Sequence, residues 1–268
     1  MKKSFNIEQF IEKYPYSKEV IQEKNIKVNN IKEIYEDYVE YESSYENQAA
    51  FIANILRSQT MVHSVKSRIK DPDRLIEKVI RKTEDRKIKY GEDFEFTVDN
   101  YKDEINDLIG IRVIHIFKDQ WQDIHEFILN TWKVIEITAN VRAGDDIKVF
   151  EDPNIEVRSK ASGYRSVHYL VEFFPTSQRV IAEIQVRTIF EEGYGEIDHR
   201  LRYSHQEIPE ILQSNLLLFN RIVGSADEMA SLINNLSREW GEKEINYKKL
   251  IEKQKAEIDL LRSKFKDK

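Results

Sequence analysis

The chain has 268 residues, 40% of them hydrophobic and 11% aromatic, enough for one sizeable core carrying an appendage. Charged residues make up 34% yet leave a net charge of only −6, which excludes a globally basic nucleic-acid binder and confines any polyanion site to a local patch. With no cysteine, no apolar leader after Met1-Lys2-Lys3, and no run near the roughly 20 apolar residues of a membrane span, disulfides and thiolate zinc sites are excluded; a cytoplasmic protein with no membrane partner is expected.

Residues 1 to about 90 read as helical. The clearest helix opens at Asp71-Pro72, a good N-cap followed by a proline suited to the first turn, and carries Leu75, Ile76, Val79 and Ile80 on one face. Ser67-Arg-Ile-Lys70 leads into it, placing Arg68 and Lys70 by a helix N-terminus that favours anions. From about 94 to 188 the pattern turns to strands, predicted at 94–98, 111–117, 134–138, 164–174 and 180–186, with a helix over 120–132. The expected fold is therefore α/β, a mixed sheet of about five strands flanked by helices. The polar stretch 143–162 is long for a passive connection and is expected to close over a ligand. After Thr188 the chain returns to helix. Trp240, Tyr247, Gln254 and Leu261 repeat every seven residues, with Ile251, Ile258 and Phe265 beside them. A short coiled coil, giving a route to homo-oligomers, and a tail docked on the body both fit that spacing. The expected division is a helical extension over 1–50, a central unit over 51–205 and C-terminal helices over 206–268.

Three segments write polar side chains into otherwise apolar strands: Asp107-Leu-Ile-Gly-Ile-Arg112, Gly163-Tyr-Arg-Ser-Val-His168 and Glu183-Ile-Gln-Val-Arg-Thr188. Strands bury one face, so such residues need a reason. Glu183, Gln185 and Arg187 share one face by the two-residue period, and Tyr164, Ser166 and His168 share another. If the two strands are neighbours, their polar rows form one site. Asp107 stands at the entrance of its strand and with Glu183 makes a carboxylate pair suited to Mg2+ and phosphate oxygens. Singly, each residue has an ordinary structural role; together they suit a reaction between two polyphosphates. No Gly-x-x-x-x-Gly-Lys-Ser/Thr sequence is present, so this is not a P-loop enzyme.

These segments, in this order and followed by Glu196-Ile-Asp-His199, resemble the synthetase domain of the RelA/SpoT family over roughly residues 50–205. The resemblance implies a nucleotidyltransferase-like sheet and transfer of the β,γ-pyrophosphate of ATP to the ribose 3′-hydroxyl of GTP or GDP, giving pppGpp or ppGpp and AMP. By motif position it implies that Arg68 and Arg112 sandwich adenine, that Lys70 and Lys78 meet the ATP phosphates, and that Asp107 and Glu183 hold Mg2+. Glu183 would also take the proton of the attacking hydroxyl. Tyr164 would stack on the acceptor guanine, with Lys160 and His168 toward its phosphates and Gln185 near its ribose or base. Two positions depart from the family pattern: Arg74 replaces a small hydroxyl residue near ATP, and Glu192 replaces an Asn facing guanine. A carboxylate at 192 can accept from guanine N1–H and its exocyclic amine, so Glu192 is expected in the GTP site. The family's His-Asp hydrolase motif is missing, so alarmone breakdown is not expected. Two alternatives stay open. One is a toxic relative that modifies the tRNA 3′ end or adenosine nucleotides, using the basic run 81–89 and paired with an antitoxin. The other is a silent nucleotide sensor.

Overall fold

The computed structural model describes residues 5–151, 154–175, 179–204 and 208–266, the side chains of 202–204 and 259–266 excepted. Asp152 and Pro153 of the polar stretch thus lie outside the described residues, as do the side chains of Leu261 and Phe265. No described helix is long and apolar enough to cross a membrane.

Four helices open the chain: α1 (Ile7–Lys13), α2 (Tyr16–Glu23), α3 (Val28–Glu40) and α4 (Glu42–Arg57). Asn6 caps α1 by accepting from the Glu8 and Gln9 N–H groups. Ile31, Ile34, Tyr35 and Tyr38 of α3 and Ala49, Ile52, Ala53 and Leu56 of α4 recur at helical spacing and are buried. They share one continuous core with the sheet and with the buried face of α5 (Pro72–Tyr90), which is Leu75, Ile76, Val79 and Ile80 as the periodicity predicts. Asp71 caps α5 by accepting from the Arg74 N–H, and Gly91 ends it at φ 108°.

The sheet has six strands: β1 (Ser64–Ile69), β2 (Ile109–His115), β3 (Lys133–Val141), β4 (Ile155–Ser159), β5 (Ser166–Phe173) and β6 (Val180–Thr188), in the order β1-β2-β6-β5-β3-β4. β2–β6 and β3–β4 are parallel and the other pairings antiparallel, so the sheet is mixed as expected. Two strands escape the sequence pattern. β1 takes in Ser67, Arg68 and Ile69 of the segment leading into α5 and buries only Val65, and β4 lies inside the polar stretch. Both are edge strands, with little apolar alternation to reveal them. The strand expected at 94–98 is a set of turns instead, pinned by the Asn100 side chain, which accepts from the Thr97 N–H and donates to Glu95 C=O. Its hydrophobic residues are anchors; Phe96 enters the core from a loop.

Two short elements complete the middle, α6 (Tyr101–Glu104) and α7 (Gln120–Thr131). Behind β6 come α8 (Ile189–Ser204) and α9 (Glu210–Lys266), a helix of 57 residues. At about 1.5 Å per residue α9 is on the order of 85 Å long. Leu216, Asn220, Val223 and Asp227 form its buried stripe beside α8, and Arg238 reaches Asp119 at 3.3 Å. Beyond that point the helix leaves the body, and Trp240, Tyr247, Ile251 and Ile258 are all exposed. The tail is therefore not docked on the body over its described side chains.

Registry gives the sheet two chemically opposite faces. One cross-strand row runs Val65, Val113, Val186, Val167, Ala139, Val157. The next runs Lys66, Arg112, Gln185, His168, Thr138, Glu156. A one-residue period shift between the rows turns an apolar face into a polar one, and the polar face carries the site.

Candidate active site

β5 and β6 are neighbours, so the two polar rows expected from sequence do meet. Glu183 lies in β6 between Gly110 of β2 and Leu170 of β5. One of its carboxylate oxygens faces His168 Nδ1 at 3.0 Å and the other accepts from Gln185 Nε2 at 2.7 Å. Gln185 Oε1 accepts from Arg187 at 2.7 Å, and the Arg187 guanidinium lies 5.3 Å from the centroid of the Tyr164 ring. Tyr164 OH returns to His168 Nε2 at 3.2 Å, closing a ring of five side chains. Burial works to raise the Glu183 carboxyl, but His168 and Gln185 outweigh it and hold the group below the usual carboxylate range. The carboxylate is ionised on the floor of the site.

The loop presenting Tyr164 is pinned from behind by the C-terminal helices. Asn220 of α9 donates to Gly163 C=O at 2.8 Å, and Tyr194 of α8 donates to Ser162 C=O. Gly163 sits at φ 76°, and a Cβ there would fall 2.8 Å from the Asn220 amide, so this corner accepts only glycine. Gly195 leaves room for the Arg187 guanidinium in the same way. In front lies a cavity of about 760 Å³, whose lining includes Lys160, Tyr164, His168, Glu183, Arg158 and Asp198. Lys160, Tyr164 and His168 thus share one concavity with Glu183, whereas Gln185 stands behind them as a hydrogen-bonding support.

On the other side of Glu183 stand the residues assigned to ATP. Asp107 accepts from Lys70 at 2.7 Å and pairs with Lys78 at 2.8 Å. Burial works to raise the Asp107 carboxyl, yet the two lysines prevail and hold it low; burial lowers Lys70. Asp107 Oδ1 is buried and has no hydrogen-bond partner among the described residues. Arg68 pairs with Gly110 across β1 and β2, and its side chain lies over the glycine, where a Cβ would meet its Nε at 3.4 Å. Arg112 is held by Glu196 and, at 3.3 Å, by Glu192.

Glu192, like Gln185, does not line the cavity in front of Tyr164. It is buried beneath the polar row, within 3.3 Å of Lys66, Arg112 and Arg187. α8 starts at the end of β6, and its first turn directs position 192 back toward β1 and β2, where three cations surround the carboxylate. Sequence reasoning missed Tyr194, Asn220 and Glu196 as supports of the site. A signal existed for Asn220, a polar residue on the apolar helical stripe of Leu216 and Val223.

The family described as a region found in RelA / SpoT proteins matches residues 67–208, more than half of the chain. GTP pyrophosphokinase YwaC of Bacillus subtilis is 24% identical over 181 residues, which cover 65% of this chain and 75% of that protein. GTP pyrophosphokinase YjbM of the same organism is 28% identical over 135 residues, 48% of this chain and 57% of that one, so the chain spans little more than half of this relative. Among solved structures, small alarmone synthetase 1 from Bacillus subtilis superposes with a TM-score of 0.57 at 21% identity, covering 76% of this chain and 98% of that one. It has also been solved bound to its product pppGpp, in a form that superposes with a TM-score of 0.51 at 22% identity over 74% of this chain and 93% of that one. The fold is shared with these structures, and the matched region, more than half of the chain, shows that this chain belongs to the RelA/SpoT family.

Proposed function

We propose that the chain is a pyrophosphokinase that moves the β,γ-pyrophosphate of ATP onto the 3′-hydroxyl of GTP or GDP, forming pppGpp or ppGpp. The observation that carries this reading is the position of Glu183: an ionised carboxylate between a half-buried cationic pair, Lys70 and Lys78, and a cavity with an aromatic platform at Tyr164. ATP would lie on the first side, with Arg68 and Arg112 at its adenine, and the acceptor on the second.

In the reaction the acceptor 3′-oxygen bonds to the β-phosphorus, the bond from that phosphorus to the α,β-bridging oxygen breaks, and AMP leaves. Glu183 accepts the hydroxyl proton, while His168 and Gln185 fix the carboxylate's orientation. Lys70 and Lys78 offset charge on the phosphates, and Tyr164, backed by Arg187, orients the acceptor base. Magnesium fits the donor set, because Asp107 Oδ1 is buried without a protein partner and Glu183 supplies a second carboxylate. When bound, the ion would neutralise charge on the transferred group.

The tRNA-modifying alternative finds less support. In the basic run 81–89, two of the five cations are already neutralised within the protein, Arg81 by Glu77 and Arg86 by Glu104.

The test is incubation with magnesium and γ-labelled ATP plus GTP, GDP, ATP alone or bulk tRNA. Label on guanosine nucleotides with release of AMP is expected, and Glu183→Gln should abolish transfer while retaining nucleotide binding. Label only on tRNA or adenosine nucleotides would move the chain to the toxic branch. Binding without transfer would make it a sensor.

A further inference from the structure

A second cavity, of about 490 Å³, adjoins the acceptor cavity; Lys160, Ala161 and Leu217 line both. Its farther wall carries Arg221, one turn along α9 from Leu217, and Arg142 just past the end of β3. The side chains of Lys160 and Arg221 have no hydrogen-bond or ion-pair partner among the described residues. Arg142 keeps one contact, with Asp145 at 3.1 Å. The single acid on the lining, Glu228, lies 3.6 Å from Lys118. The wall is therefore three cations against one acid that is already neutralised nearby. Uncompensated cations around a concavity attract an anion, and guanidinium groups match the fork of phosphate oxygens.

The two cavities are joined in a useful order. A nucleoside stacked on Tyr164 with its 3′-hydroxyl at Glu183 occupies the first, and its 5′ substituent leaves the ribose away from the 3′-oxygen. Lys160 stands where one cavity passes into the next. We propose that the second cavity takes the terminal 5′-phosphates of the acceptor nucleotide, with Arg221 as the residue that reads their number. This rests on the pyrophosphokinase reading above for the identity of the acceptor.

The experiment measures KM and kcat for guanosine 5′-mono-, di- and triphosphate as acceptors at saturating ATP and magnesium, in the wild type, Arg221→Gln and Arg221→Glu. Arg221 is exposed and unpaired, so neither variant should disturb folding. Losing a charge-assisted contact should raise KM for the triphosphate about tenfold and that for the monophosphate less than about twofold, with a larger split for Arg221→Glu. An equal change for all three acceptors, or none, would overturn the proposal. So would a fall in kcat common to all acceptors, which would assign the cavity to a separate phosphate-bearing effector. Calorimetric titration of the same three nucleotides without ATP decides the matter independently of turnover. If no acceptor is modified, the pyrophosphokinase reading fails alone, and the dependence of binding on phosphate number, lost in Arg221→Gln, still stands or falls by itself.

Discussion

Glu192 shows how a residue's neighbours decide its role. Its carboxylate bridges Arg112 of β2 and Arg187 beneath Tyr164; Glu192 and Arg187 are buried and Arg112 is partly so. Removing the charge leaves cations without compensation, so Glu192→Gln should cost about 1–3 kcal/mol in a denaturant titration. Because the side chain is turned from the acceptor cavity, the variant should keep its preference between guanosine and adenosine acceptors; a collapse of that preference would return Glu192 to the guanine site. Tyr164→Ala should behave in the opposite way, weakening acceptor binding by about 1–3 kcal/mol while leaving ATP binding nearly intact. Equal losses for both nucleotides would count against the assigned platform. At this scale much was legible: the two-residue spacing of Glu183, Gln185 and Arg187 did place them on one face. What the spacing could not reveal is which polar groups pair with one another. Glu183 meets His168, and Glu192 faces Lys66 and Arg112, because β5, β1 and β2 are brought beside them from far away in sequence.

The contribution of α9 to the site is an argument about elements. Its buried stripe supplies Asn220 to the Gly163 corner and Asp227 to the end of β6, where Thr188 Oγ1 donates to the Asp227 carboxyl at 3.2 Å. Gly163→Ala would combine φ 76° with a Cβ 2.8 Å from Asn220, and should cost about 1–3 kcal/mol and weaken acceptor binding. Asp227 is fully buried, and burial, reinforced by Glu191, pushes its carboxyl up to about 7. The unfolded chain releases this proton near pH 4 and the folded chain near 7, so this group makes stability fall as pH rises through that window and level off above it. Asp227→Asn should remove the slope, matching the wild type near pH 4 and exceeding it at pH 8 by on the order of 2–4 kcal/mol in urea titrations. An equal difference at both pH values would mean that titration is not involved. Elements were legible where periodicity is strong, as in α5, and hidden where an edge strand serves as a polar wall, as in β1 and β4. The aromatic run at 94–98 misled because anchoring side chains on a turn mimic strand alternation.

For the whole molecule, the six-stranded sheet, the N-terminal helices and the first half of α9 act as one packed body, whereas the second half of α9 projects from it. Leu232, Ile233, Leu236, Trp240, Tyr247, Leu250, Ile251 and Ile258 are all exposed, so nothing in the chain's described side chains gains stability by covering them. Ending the chain after Trp240 should therefore leave the melting temperature of the body within about 2 °C of the full chain, at the precision a change of a few tenths of a kcal/mol allows. Ending it before Leu216 removes Asn220 and Val223 together and should unfold the Tyr164 corner, abolishing acceptor binding before ATP binding. The first truncation also reads the apolar stripe itself, because an exposed patch of this extent is a surface that another molecule can cover. Stability gained by association depends on protein concentration. If the melting temperature of the full chain rises with concentration and that of the shortened chain does not, the stripe is buried between two copies; if both are flat and equal, the projecting helix contributes nothing to stability in isolation.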